Sequence, residues 1–123
     1  MTLQGKMLCI LAFLFLASPL RTSAQSPTTQ VMATLTVKPG VAREEIAKTM
    51  PHEVRETVKL YLDGKIQQWY ARGDGKGVIF ILNCKDAAEA KAMTDQLPLI
   101  KADFASFEFM PLQPLTPLRY LLQ

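Results

Sequence analysis

The chain has 123 residues, enough for one modest domain and too few for two of ordinary size. Hydrophobic residues make up 49% and charged residues 20%, which excludes a disordered or collagen-like polymer. Fourteen Lys/Arg against eleven Asp/Glu give +3, but Lys6 and Arg21 precede residue 25 in a stretch without acids, so residues 25–123 carry twelve bases against eleven acids. A body so close to neutral argues against nucleic acid or an anionic membrane as partner.

Lys6 precedes an apolar run over residues 7–17, followed by Ser18, Pro19 and the small residues Ser23 and Ala24. A basic start, an apolar stretch and a small-residue end are the parts of a secretory signal peptide. The run is shorter than the roughly 20 residues needed to cross a hydrocarbon core. The expectation is cleavage after Ala24 and export, to a periplasm or the exterior, with no membrane attachment afterwards. An uncleaved anchor or a buried N-terminal helix is the alternative. Removing residues 1–24 leaves Cys84 as the sole cysteine, so no intrachain disulfide forms. Its place at the end of an apolar strand predicts a buried, inert thiol. A single histidine, His52, makes no zinc pattern, and no metal is expected.

After a polar leader, 25–29, residues 30–38 alternate Val31, Ala33, Leu35 and Val37 with Met32, Thr34 and Thr36, the period of a strand. Over 41–63, Ile46, Met50, Val54, Val58, Tyr61 and Leu62 recur at helical steps, with Glu53 among the charges assigned to the wet side. Pro51 predicts a kink or a break, and Gly64 a C-terminal stop. Two strands, 65–72 and 76–84, meet around Asp74-Gly75, a hairpin signal. Asp86 with Glu89 reads as a capping box opening a helix to about residue 96, which Pro98 closes. Residues 103–111, with Phe104, Phe107 and Phe109, form the last strand. A Pro/Leu-rich arm, 112–123, ends the chain and favours extended backbone against its own or a neighbouring subunit.

The order βαββαβ over residues 30–111 predicts a ferredoxin-like α+β domain, an antiparallel sheet with two helices on one face. Strand alternation places Val31, Ala33, Leu35, Trp69, Phe80 and Phe107 under the helices. The other face mixes Met32, Ile66, Ile79, Ile81, Phe104 and Met110 with hydroxyls, amides, Arg72 and Glu108. Two copies closing over that face would enclose a pocket with a few convergent polar groups. A plain dimer interface is the alternative.

Gln96-Leu97-Pro98-Leu99, a short linker and the strand 103–110 resemble the helix end and final strand of muconolactone isomerases. Residues 64–73, with Trp69 four before Gly73, and Val37-Lys38-Pro39 after the first strand are similar to the same family, so the resemblance spans 31–114. It implies a dimeric α/β-barrel subunit in a homodimer or higher homo-oligomer. It also implies a small unsaturated, anionic ligand and an allylic proton shift on a lactone without metal or cofactor. The signal peptide, leader and tail depart from that family, and no motif transfers a catalytic residue.

Such a shift needs a base that returns the proton two carbons away and a donor for the developing dienolate. Glu108 is the only carboxylate on the mixed face and the candidate base, with Tyr70 the candidate catalytic donor. Arg72 is the candidate carboxylate clamp, with Gln68, Ser106, Thr34 and Asn83 completing the substrate-binding set. Glu108 and Arg72 stand on opposite edge strands of the usual order, so they meet only across a dimer, where an intersubunit salt bridge is the structural alternative. His52 reads as solvated, its rival role being haem handling. Gly73, Gly75 and Gly77 open no helix and cradle no phosphate. A non-catalytic binding or assembly module is the competing function.

Overall fold

The structure, a computed structural model, describes residues 30–115 and 120–123. The expected signal peptide and leader lie outside the described residues, as do four residues of the arm. The elements are β1 (Gln30–Val37), α1 (Arg43–Leu62), β2 (Ile66–Ala71), β3 (Gly77–Leu82), α2 (Ala87–Thr94), α3 (Pro98–Lys101) and β4 (Ala105–Leu112). The strands lie in the order β2-β3-β1-β4 with every neighbouring pair antiparallel. This is the ferredoxin-like α+β fold, the subunit architecture of dimeric α/β barrels.

Register carries the predicted faces. Val31 stands opposite Leu82 and Pro111, Ala33 opposite Phe80 and Phe109, and Leu35 opposite Val78 and Phe107. Val31, Ala33, Phe80 and Leu82 form the core with Ala90 and Leu97 from the helix layer, while Leu35, Leu99 and Ala105 make a second cluster. Ile66 corrects the expected alternation. A β-bulge between Ile66 and Gln68 turns Ile66 to the helix side, opposite Leu82, where it is buried. Phe104 also leaves the mixed face: it precedes β4 and packs against the Leu35–Leu99 cluster.

Local chemistry explains the ends. Asp86 accepts from the Glu89 amide at 2.8 Å, and Glu89 reaches back to the Lys85 amide, one residue earlier than in the usual box. Gly64, at φ +74°, ends α1 with its amide on the Tyr61 carbonyl and the Lys65 amide on the Leu60 carbonyl, a Schellman arrangement. Pro98 does not merely close α2: it is the first residue of α3, where a proline ring is preformed for a helical turn. Pro51 does not split α1, which runs as one helix of 20 residues. Tertiary contacts along so long a helix outweigh the one hydrogen bond the ring removes.

Candidate functional site

Apart from Ile46, the residues of α1 facing the protein are not the ones its hydrophobic pattern predicts. Ile46, Thr49, Glu53, Glu56, Thr57 and Leu60 are its less exposed positions, most of them three or four residues apart. Met50, Val54, Val58 and Tyr61 form the adjacent stripe and remain between 37% and 52% exposed. Two contacts set this rotation. Near the C-terminal end, Tyr61 stacks on Trp69 of β2, with ring centroids 4.3 Å apart and planes at 18°. Near the middle, the Leu99 amide of α3 donates to Glu53 Oε2 at 2.9 Å.

Between these contacts α1 stands off the β2–β3 half of the sheet and leaves a cavity of about 650 Å³. Met50, Glu53, Val54 and Val58 form its helix wall, and Leu35 and Phe80 its floor. Trp69 and the hairpin glycines Gly75 and Gly77 border it, with Arg43 at the start of α1. Its size falls within the range of small-molecule sites, and an apolar lining with a few polar groups is their usual composition.

Glu53 is the chemical centre of this cavity. It is only 6% exposed, and burial pushes its carboxyl above the usual range; the Leu99 amide and nearby His52 pull the other way and do not prevail. Leu97, the N-cap of α3, supplies no side-chain cap, so Glu53 caps that short helix from a neighbouring element. Only Oε2 is engaged. Among the described residues no sealed side-chain oxygen lacks a partner, so Oε1 is accessible, and the space Glu53 borders is the cavity. Thr57 lines the same wall one turn on. A carboxyl so placed can exchange a proton with a bound molecule away from bulk water.

The predicted site residues are not assembled within one chain. Glu108 lies on edge strand β4 opposite Thr34, whereas Tyr70 lies on β2 at the other edge opposite Ile79, about 14 Å away at three strand spacings. Arg72 is occupied: it pairs with Asp74 at 2.5 Å and donates to Thr36 Oγ1 at 2.6 Å, reaching over side-chain-free Gly77. The amide of Lys76, then Arg72, holds the Asp74 carboxyl below its ordinary range. Asn83 donates to the Gly64 carbonyl at 2.8 Å and fastens the turn after α1. Gln68 and Ser106 are exposed, and Thr34 is half-buried between Ile79 and Glu108. Tyr70 also borders the cavity. His52 is exposed and outside the cavity lining.

Cys84 is buried, and desolvation followed by Glu89 and Asp86 raises its thiol's pKa, as an inert cysteine requires. Among the described residues, no three His, Cys, Asp or Glu side chains gather as metal ligands, and no helix is long and apolar enough to cross a membrane.

No protein-family model matches this chain, and no curated protein matches it in sequence. Its fold is similar to 5-chloro-2-hydroxyhydroquinone dehydrochlorinase from Burkholderia phenoliruptrix, solved in complex with 2,5-dihydroxybenzoquinone. The TM-score is 0.52 at 15% identity, over 68% of this chain and 91% of that one. The likeness establishes a shared small α+β fold and does not single out muconolactone isomerases.

Proposed function

We propose that this protein binds a small, ring-containing anionic molecule in the cavity beneath α1 and moves a proton on it without a cofactor. The observation that carries this reading is Glu53: a buried carboxyl with one oxygen held by the Leu99 amide and the other open to a largely apolar cavity. In an allylic shift, Glu53 Oε1 takes the proton on the carbon beside a carbonyl. The C–H pair flows into a dienolate, and the proton returns two carbons along. Thr57 is placed to donate to the oxyanion, and the apolar lining keeps water from quenching it. The dehydrochlorinase of like fold, crystallised with a small quinone, supports a ring-shaped ligand. With the signal-peptide pattern of residues 1–24, the protein acts after export.

A second reading keeps the mixed face of the sheet. Tyr70, Ile79, Thr34 and Glu108 form one row across four strands, and Met110 beside it is 56% exposed. A second copy covering that face would build a dimeric barrel with Glu108 as base, Tyr70 as donor, and Arg72, Gln68, Ser106, Thr34 and Asn83 around the substrate.

Incubation with muconolactone, related unsaturated lactones and dihydroxyquinones in heavy water, followed by proton NMR, separates these readings. Deuterium entry that Glu53→Gln abolishes and Glu108→Gln preserves assigns the chemistry to the cavity; the reverse assigns it to the mixed face. Ligand-dependent change in Trp69 fluorescence without exchange identifies a non-catalytic binding module. No exchange and no fluorescence change overturns both readings for these ligand classes.

A further inference from the structure

The cavity has a direction that Glu53 alone does not give it. Arg43 opens α1 and, at about 100° per residue, falls on the same stripe as Met50, Val54 and Tyr61. It is the one cationic side chain in the cavity lining. Lys38, Lys48, Lys59, Arg72 and Lys91 each meet a carboxylate, whereas Arg43 forms no ion pair among the described residues. Glu44 and Glu45 follow it in the first turn of α1 but are absent from the cavity lining, so Arg43 is the charge that this end presents to the cavity. Glu53 lies ten residues further along, about 15 Å on the helix axis.

Resting on the cavity reading above, we infer that Arg43 is the specificity-determining residue of this site and selects an elongated aryl acid of two fused or linked rings. Its carboxylate sits on the guanidinium and its hydroxylated far ring at Glu53. A single six-membered ring is too short to touch both ends, and the cavity volume exceeds what one ring fills. The reversed orientation sets the ligand's anion against the Glu53 carboxylate, which repels it. Binding is therefore polar at both ends and apolar between, with one orientation favoured.

Trp69 is the only tryptophan in the chain and borders the cavity, so its emission reports occupancy independently of turnover. The purified protein is titrated by calorimetry and Trp69 fluorescence with 6-hydroxy-2-naphthoate, the corresponding carboxamide, and 4-hydroxybenzoate. The naphthoate is expected to bind about tenfold tighter than the amide, the difference of one charge-assisted contact. In Arg43→Gln that preference should vanish with the amide's affinity unchanged, and 4-hydroxybenzoate, too short for both ends, should bind wild type more weakly than the naphthoate does. Equal affinities for acid and amide, or an acid preference that survives Arg43→Gln, overturns the role of Arg43 and leaves the cavity reading intact. Absence of heat and of any Trp69 change with all three probes overturns the cavity reading and this inference together.

Discussion

The two halves of the helix layer solve the same packing problem differently. Over β1 and β4, α2 and α3 lie close: Ala90, Thr94, Leu97 and Leu99 are all at most 3% exposed. Small side chains on α2 permit that close approach to the sheet. Over β2 and β3, α1 carries larger apolar residues yet stands away. The Tyr61–Trp69 stack and the Glu53–Leu99 bond hold it there, and Met50, Val54 and Val58 line a void instead of filling a core. One half is densely packed; the other leaves its apolar surface around a cavity.

The sharpest test of that contrast pairs one apolar truncation from each half. Leu97→Ala should cost about 3 kcal/mol in urea unfolding, because a fully buried side chain leaves a cavity. Val54→Ala should cost less than about 0.5 kcal/mol while weakening ligand binding. Equal costs would mean that α1 closes onto the sheet in solution. Next in size is Gly77→Ala. A methyl group there meets the Leu35 backbone carbonyl, so β3 must shift against β1 at a loss of about 2 kcal/mol, read as a lower midpoint.

Tyr61→Ala removes one of the two contacts holding α1 in place. About 1 kcal/mol of stability should go with it, and Trp69 emission should move to the red as the ring is wetted. An unchanged spectrum would show that the stack does not set the helix position. The smallest effect is a pH dependence. Burial raises the Glu53 pKa, so the folded state binds that proton more readily than the unfolded state. Its contribution to stability must therefore grow as pH falls from the raised value toward the ordinary carboxylate range. Glu53→Gln keeps an acceptor for the Leu99 amide and removes the charge, so its stability should exceed wild type most above that window and least below it. A gap independent of pH would show that burial does not raise the Glu53 pKa.

Much of the architecture was legible along the chain. The period-two runs, Asp74-Gly75, Gly64 and the Asp86–Glu89 cap all mark features the structure contains, because each is decided by local backbone chemistry. The cavity was not legible. The pattern of α1 puts Met50, Val54 and Val58 inside and Glu53 in water, since hydropathy ranks a carboxylate as the last residue to bury. A signal did exist: Leu97-Pro98-Leu99 opens a helical turn with no capping side chain of its own, so its amides needed a distant acceptor.

What the sequence determined by itself was the order and type of its strands and its two longer helices, the apolar face of the sheet and the buried setting of Cys84. Each of these depends on neighbours within a few residues or on strict alternation. What only the tertiary structure decided was the rotation of α1, the bulge that buries Ile66 and the start of α3 at Pro98. It also decided the choice of Glu53 as the carboxylate that faces a cavity. Those follow from contacts between residues that are not neighbours in the chain, Glu53 with Leu99 across 46 positions and Tyr61 with Trp69 across the turn that follows α1. Their free energies are settled by which surfaces meet rather than by which residues adjoin.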